Sequence, residues 1–323
     1  MIVLTGAAGF IGSCYWAELL ALGRKDIIIV DEFSAGQKQH NLDHKSFQLK
    51  IHRDIFLNWW RKSEVDVEAV IHIGARTDTT EQSIALFDRL NLNYTKAIWK
   101  LCAERQIPLI YASSAATYGL GEHGYIDSHD IVPKLQPLNP YGRSKNDSDQ
   151  WALQQTETPP FWAGLKFFNV YGPNEYHKGR MASVIFHTFK QVQATEKMKL
   201  FRSHRPDIQD GYQSRDFIYV KDVIQVIEFL RKGAAQLPSG LYNLGTGQAR
   251  TFLDLVTATF VAIDKQPQIE FIDTPEDIRD TYQYFTEADM TKLRSIGYEK
   301  PFTTLEAGVA EYVQQYLIQG RYI

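Results

Sequence analysis

Cysteine is nearly missing: Cys14 and Cys102 are the only two in 323 residues. Both fall in apolar, helix-like runs, so they read as buried free thiols of a reducing compartment, without metal-ligand spacing. Long hydrophobic runs are missing too; none approaches the roughly 18 residues that span a bilayer. Neither sign of charge is in excess, with 35 Lys and Arg against 38 Asp and Glu and a pI near 6.3. There is no basic stripe or polybasic tail, which removes nucleic acid and membrane surfaces from the expected partners. Internal repeats and low-complexity segments are absent. The strand pattern starts at residue 1, which leaves no room for a leader and makes the cytoplasm the expected location. What is left is a chain long enough for one large α/β unit, or two unequal lobes, around an ample core.

The chain is organised around its opening, MIVLTGAAGFIGS. Met1 to Leu4 are apolar and stop at Thr5, a short buried strand. Gly6, Gly9 and Gly12 follow at equal spacing, and then an apolar helical run through Trp16, Leu19 and Leu20. Strand, glycine turn and helix together open a dinucleotide-binding unit. Gly6 permits the tight turn, Gly9 lets backbone approach a pyrophosphate, and Gly12 lets the helix lie close on the sheet. Free N–H groups of the first helical turn, at Phe10, Ile11 and Gly12, face the phosphates, where the helix dipole favours negative charge.

Asp26–Asp31 (DIIIVD) reads as a second strand ending in an acid. An acid about twenty residues past the glycines holds the adenosine ribose hydroxyls, which argues for NAD. Lys38 and Arg53 follow nearby as candidates for a 2′-phosphate, which argues for NADP. His52-Arg53-Asp54 closes a third strand, with Asp54 toward the adenine edge. Ala69–Gly74 (AVIHIG) is the expected fourth strand; Gly74 and Ala75 let backbone pass close to a cofactor. A helix over Leu90–Glu104 carries Asn91 near its start. Pro108–Ser114 is the fifth strand, running into Ser113 and Ser114. Repeated β–α–β units predict an α/β fold with a doubly wound parallel sheet of the Rossmann kind. Ligands bind beyond the carboxyl ends of such strands, which is where Ser114 lies.

Tyr141-Gly142-Arg143-Ser144-Lys145 follows a loop containing Pro133, Pro137 and Pro140. Asn139-Pro140 starts a helix, so Tyr141 and Lys145 share one face at i and i+4. An ammonium beside a phenol lowers its pKa toward neutrality, and a serine hydroxyl can hold a substrate oxygen while the tyrosine exchanges its proton. Y-x-x-x-K alone is common; one element after a serine-ended strand, in a chain opening with spaced glycines, it is informative. Ala163–Val170 is the expected sixth strand. Beyond it the regular alternation weakens. Residues 1–170 are expected to form the dinucleotide-binding domain, with 215–245 returning to it. Residues 171–214 and 246–323 are expected to form a smaller, mainly C-terminal substrate lobe.

Gly6/Gly9/Gly12, YASSAATYG (residues 111–119), YGRSK and FNVYGP (residues 168–173) resemble the extended short-chain dehydrogenase/reductase superfamily, whose nucleotide-sugar epimerases and dehydratases share this order. The dehydratases usually carry an acidic pair right after the strand-ending Ser or Thr. Ala115-Ala116 stands there, which disfavours dehydration. VDEFSAGQKQHNL (residues 30–42), HKGRMASVIFH (residues 177–187), SRDFIYV, YNLGTG and FTEAD (residues 285–289) resemble, more narrowly, the ADP-L-glycero-D-manno-heptose 6-epimerases. This resemblance covers essentially the whole chain, and HKG-x-MASV is its most specific piece.

The resemblance implies epimerisation at carbon 6 of an ADP-activated heptose for the lipopolysaccharide inner core. Bound NADP takes a hydride from carbon 6 and returns it to the opposite face. Tyr141 and Lys178 are implied as the two acid/base groups, Ser114 as the group polarising the carbon 6 oxygen, and Lys145 as support for the cofactor. Glu32, Arg76, Thr77, Asn91 and Val170 are implied as further cofactor positions. Asn169, Arg180, His187, Phe201, Arg202, Ser203, His204, Arg215 and Tyr282 fall at substrate positions, Arg215 toward the diphosphate, where a bidentate fork fits. A homo-oligomer, a pentamer in known members, is implied as well. Asp31 with Lys38 matches members that take NADP, and Arg53 keeps the charge of their lysine; NADP is therefore expected, with NAD the alternative.

Four departures stand out. Arg180 replaces a small serine, Arg76 replaces a small residue near the nicotinamide, Ile73 stands where a glutamate is often seen, and the 202–214 loop is long. Two other readings stay open at this point. A UDP-hexose 4-epimerase needs the Ser/Tyr/Lys set but not Lys178. A non-catalytic NADP-sensing protein on the same fold typically loses the Tyr or the Lys.

Overall fold

The computed structural model describes residues 1–34, 36–279 and 282–323. Its first half runs β1 (Ile2–Thr5), α1 (Phe10–Ala21), β2 (Ile27–Asp31), β3 (Leu49–His52), α2 (Arg53–Lys62), β4 (Ala69–His72), α3 (Ile84–Phe87), α4 (Asn93–Glu104), β5 (Leu109–Ser114) and α5 (Pro140–Leu153). Next come β6 (Trp162–Phe167), β7 (Asn169–Tyr171), α6 (Val184–Thr195), β8 (Met198–Phe201), β9 (Ser214–Tyr219), α7 (Val220–Gly233) and β10 (Gly240–Leu244). The chain ends with β11 (Ala249–Thr251), α8 (Phe252–Ala262), β12 (Ile269–Ile272), α9 (Glu276–Arg279), α10 (Thr291–Ser295) and α11 (Leu305–Glu311).

Seven strands form one parallel sheet in the order β10-β6-β5-β4-β1-β2-β3. This is the doubly wound order, with the chain reversing direction of growth between β1 and β4. β1, β2, β4 and β5 are buried at every position, as a sheet covered on both faces requires. Alternate residues feed two cores. Ile2, Leu4, Ile27, Ile29, Ile71 and Ile110 pack with Tyr15, Trp16 and Leu19 of α1 and Val223, Ile227 and Leu230 of α7. Val3, Ile28, Val30, Val70, Leu109 and Tyr111 pack with Phe56 and Trp60 of α2 and Ile98 and Trp99 of α4. The register sets Thr5 beside His72 and Ser114 beside Phe167, so the polar strand ends share the carboxyl edge.

Two expectations need correction. Ala163–Val170 is not one strand. β10 stops at Leu244, the Phe168 N–H closes the ladder on the Leu244 carbonyl at 3.1 Å, and β7 leaves to pair with β9. β7, β9 and β11 make a separate three-stranded sheet, and β8 and β12 a parallel pair. Of residues 215–245, only β10 adds a strand to the large sheet; α7 covers it beside α1, with Tyr15 donating to Glu228 at 2.9 Å. The expected AVIHIG strand ends at His72, because Gly74 N–H turns onto the Thr5 hydroxyl at 3.2 Å. Among the described residues no helix is long and apolar enough to cross a membrane. Cys14 and Cys102 are both free and buried.

Candidate active site

The glycine turn is built backbone on backbone. Gly6 has φ +71°, and a Cβ there would lie 2.6 Å from the Gly74 nitrogen. The turn therefore touches the loop after β4, and only glycine permits it. Gly9 caps α1 without a side-chain bond, leaving the N–H groups of Phe10, Ile11 and Gly12 as the open end of the helix. Asp31 ties this turn to the next strand: its Oδ2 accepts from Ala8 N–H at 2.9 Å, its Oδ1 from Glu32 N–H at 2.7 Å and Lys38 Nζ at 3.2 Å. Glu32 lies 3.9 Å from His52. Arg53 Nε is buried without a hydrogen-bond partner and lies 3.6 Å from Asp54, which is exposed. Open helix N–H groups, a lysine and an unpartnered guanidinium N–H are the donors that a dinucleotide's phosphates require, so these residues fit such a group.

The loop Gly74–Thr77 is held from behind. Asn91, which lies in the π-helical turn Asp88–Leu92 leading into α4, accepts from Arg76 N–H at 2.8 Å. It also donates to the Arg76 carbonyl at 3.0 Å and to Ser144 Oγ at 3.0 Å. Its amide protons are thus committed, and it acts as a strut between the loop and α5. Thr5 Oγ1 and Thr95 Oγ1 bracket the His72 ring at 2.6 and 3.0 Å. Burial, with the Lys145 charge adding to it, pushes His72 down to about 3, so the ring is neutral.

α5, which carries Tyr141 and Lys145, packs against the end of β5 that carries Ser114. Asn139 caps α5, accepting from Gly142 N–H at 2.8 Å, and Pro140 opens the first turn. A Cβ on Gly142 would sit 2.7 Å from the Ala116 carbonyl, so α5 comes against the turn after β5. That approach brings Tyr141 close enough for the Ser114 hydroxyl to favour its phenolate. The two serines differ. Ser113 donates to Asp149 at 2.6 Å, whereas Ser114 Oγ accepts from Ala116 N–H at 3.1 Å and keeps its own proton for another acceptor.

The expected lowering of the phenol's pKa does not occur. Burial pushes Tyr141 up, and only the Ser114 hydrogen bond works against it. Lys145 points elsewhere: its Nζ donates to the Ala112 carbonyl at 2.7 Å. Burial pushes Lys145 down to about 8, with the Asp149 charge holding it up.

Lys178 lies in the tight turn Tyr176–Met181, its Nζ 5.5 Å from the centre of the Phe10 ring in the glycine turn. Burial pushes its pKa down and the Glu175 charge pushes it back up. Arg180, at 70 % side-chain exposure, meets Thr80 Oγ1 and lies 3.8 Å from Asp78, which also lies 3.3 Å from Arg76. The two unusual arginines thus share one carboxylate in the loop after β4. His187 Nε2 is 3.3 Å from the Arg180 carbonyl.

A third group gathers on the small sheets. Tyr282 meets Phe201 edge-on at 6.3 Å, and the buried Arg215 guanidinium lies 5.6 Å from the Tyr282 ring and 5.5 Å from Phe252. Arg215 donates to the Ser214 carbonyl at 2.8 Å and to the Gln283 carbonyl, and burial lowers its pKa. Residues 202–204 are engaged by other groups of the protein, Ser203 within its own loop and Arg202 and His204 by residues 273–284. Arg202 lies 3.3 Å from Asp273, Ser203 N–H donates to Asp210 at 2.8 Å, and His204 donates to Tyr284 and accepts from Thr274 N–H. Asn169 is exposed and Val170 half-buried on β7. Thr281, beside Tyr282, lies outside the described residues.

Sequence reasoning missed Asp149, Lys166 and Glu175. Asp149 falls at i+4 from Lys145, and Lys166 is a charge inside an apolar strand; both spacings were visible signals. Glu175 carried none beyond its place before HKG.

Residues 2–245 match the NAD dependent epimerase/dehydratase family. A Fusobacterium nucleatum protein described as ADP-L-glycero-D-manno-heptose-6-epimerase is 47% identical over 327 residues, covering 98% of each chain. A Nitratidesulfovibrio vulgaris protein of the same description is 47% identical over 319 residues, again covering 98% of each. The crystal structure of Helicobacter pylori ADP-L-glycero-D-manno-heptose-6-epimerase matches with a TM-score of 0.80 at 27% identity, covering 97% of this chain and 95% of that one. The chain belongs to the NAD dependent epimerase/dehydratase family, among its ADP-L-glycero-D-manno-heptose-6-epimerases.

Proposed function

We propose that this protein converts ADP-D-glycero-D-manno-heptose to ADP-L-glycero-D-manno-heptose, an isomerase step toward the lipopolysaccharide inner core. The reading is supported by two separate candidate proton-transfer groups: Tyr141 on α5, next after the serine-ended β5, and Lys178 in the turn before α6, its Nζ 5.5 Å from the centre of the Phe10 ring beside the glycine turn. Oxidation takes a proton from the carbon 6 oxygen and re-reduction on the opposite face gives one back, and two groups can divide these transfers between them.

A nicotinamide dinucleotide held at the glycine turn supplies the hydride acceptor and donor. The residues of the chain do the rest. Ser114 polarises the carbon 6 oxygen, and Tyr141 and Lys178 divide the two proton transfers at that oxygen, one in the oxidation and the other in the re-reduction. Lys178 makes no ion pair among the described residues, and burial favours its neutral amine, the form that accepts a proton. Lys145 supports the cofactor from the floor of the cleft. Ala115-Ala116 supplies no acid to expel a hydroxyl, which speaks against dehydration. Arg215, Tyr282 and Phe201 take the nucleotide end, so the large sheet serves the cofactor and the small sheets the sugar nucleotide. Lys38 and the unpartnered Arg53 Nε favour NADP over NAD, because a 2′-phosphate fits both.

The test is mass spectrometry of nucleotide released by denaturing the purified protein, with NMR of ADP-D-glycero-D-manno-heptose incubated with it and no added cofactor. NADP release and conversion to the L-glycero epimer are expected. Retained dinucleotide with an unchanged heptose would keep the family and overturn the substrate.

A further inference from the structure

We propose that Glu175 is a positioning residue for Lys178: a carboxylate fixed beside the amine but kept off it, holding Lys178 over the cofactor cradle and supplying its counter-charge. This rests on the reading of Lys178 as an acid/base group.

The geometry comes first. Glu175 is fully buried, and burial pushes its pKa up while the hydrogen bonds from Ser183 and the Lys178 charge pull it back down; both its oxygens are held by Ser183. Oε2 accepts from the Ser183 N–H at 2.6 Å and Oε1 from the Ser183 hydroxyl at 2.6 Å. Ser183 caps α6, so the carboxylate sits at a helix N-terminus, where its charge is favoured. Clamped there, it cannot swing out to pair directly with Lys178. The two residues are nevertheless locked together, because Lys178 N–H donates to the Glu175 carbonyl at 2.9 Å.

The surrounding segment is pinned from several sides. Asn174 takes a left-handed conformation, φ 73°, donating to Ser13 Oγ at 2.9 Å and accepting from Ile323 N–H at 2.9 Å. Tyr176 donates to the Arg321 carbonyl at 2.8 Å, and His177 lies 3.3 Å from Asn41. A fixed platform therefore aims Lys178 at Phe10.

The charges agree with that placement. A buried carboxylate needs a cation within reach. The titratable groups around Glu175 besides Lys178 are Tyr312, Tyr176 and Cys14, and burial pushes all three up, so they stay neutral. His177, beside Lys178, is pushed by burial down to about 4 and so is neutral, and Lys38 and Asp31, which face His177, are paired to each other. Glu175 is the one charge that raises the Lys178 amine against its burial.

The experiment uses the dinucleotide-loaded enzyme and reads Lys178 directly. Acetylation of Lys178 by limiting acetic anhydride is followed by peptide mass spectrometry across pH, alongside the pH profile of kcat/KM. Glu175→Gln keeps the shape and removes the charge. Its Lys178 is expected to titrate lower by on the order of one pH unit, with the kcat/KM limb moving equally and KM little changed. Glu175→Asp restores the charge and is expected to recover the wild-type curve. An unchanged Lys178 titration in folded Glu175→Gln overturns the proposal. A shifted amine with an unmoved kcat/KM limb upholds the coupling and instead overturns Lys178 as an acid/base group. Should Glu175→Gln not fold, Ser183→Ala loosens the carboxylate and keeps its charge. There a shifted Lys178 titration with lower kcat at unchanged KM supports the proposal, and a wild-type titration ends it.

Discussion

Asp149 and Lys166 form an ion pair of 2.7 Å in which both side chains are fully shielded from water. Asp149 also accepts from Tyr111 at 3.0 Å and Ser113 at 2.6 Å, and Lys166 donates to Thr117 at 2.9 Å. The pair thereby ties α5, β5 and β6 together behind Ser114. Removing one partner leaves a buried charge alone, which costs about 3–5 kcal/mol. Asp149→Asn is therefore expected to lower the unfolding free energy by about that amount, read as a lower urea midpoint at unchanged slope. Asp149→Leu with Lys166→Met is expected to cost less than the sum of the single changes, because no charge is stranded. Urea unfolding of Asp149→Asn, of Asp149→Leu and Lys166→Met singly, and of the double variant checks both; additive losses would mean the two groups do not act as a pair.

Much of this arrangement was legible in the chain. The glycine turn, the Asp31 strand end and the convergence of Ser114 with Tyr141 follow from local spacing, which fixes who shares a helix face or a sheet edge. The break at Phe168 was not legible, because it depends on where β10, some seventy residues later, happens to stop. The direction of the Tyr141 pKa was misjudged for a similar reason. The i+4 spacing brings Lys145 near, but the Ala112 carbonyl decides where its ammonium points. Asn91, Arg202 and His204 show the same limit from the other side: their positions were readable, while their internal partners come from distant segments.

Ser113 and Ser114 are neighbours with different tasks, and substitution separates them. Ser114→Ala and Tyr141→Phe are expected to lower kcat by about 10²–10⁴ with the bound dinucleotide retained, since each removes a group at the proton-transfer step. Ser113→Ala removes a bond to Asp149 and is expected to reduce stability by about 1 kcal/mol with little change in kcat. Single-turnover rates and thermal melts on the three proteins distinguish them; equal loss of rate at both serines would contradict the assignment.

The proposed preference for NADP over NAD rests on Lys38 and Arg53. Lys38 pairs with Asp31, both cations act on Glu32, and Arg53 Nε, 3.6 Å from Asp54, makes no hydrogen bond among the described residues. Lys38→Ala is expected to weaken NADP by about tenfold or more, the range of one charge-assisted hydrogen bond, and to leave NAD nearly unchanged. Equilibrium binding of each dinucleotide to stripped protein measures it. Equal weakening of both would assign Lys38 to the common part of the cofactor.

His72 makes a prediction about acid stability whose sign can be worked out. Its ring is held between Thr5 and Thr95, and burial takes its pKa from the ordinary 6.5 to about 3 in the folded protein. Below pH 6.5 the unfolded chain therefore binds a proton that the folded chain refuses. Stability falls as pH falls through that window, and above it this group contributes no slope. One group contributes ~1.4 kcal/mol per pH unit once its unfolded form is fully protonated. His72→Gln removes the titrating ring but keeps a group able to bond one threonine. At pH 7 the variant is expected to be less stable by about 1–3 kcal/mol, the cost of an imperfectly satisfied buried site. On going from pH 7 to pH 5 the gap is expected to close, because only the wild type pays for an excluded proton. Urea unfolding at half-unit pH steps gives both curves. Curves that stay parallel over that range would show that His72 titrates alike in the folded and unfolded chains.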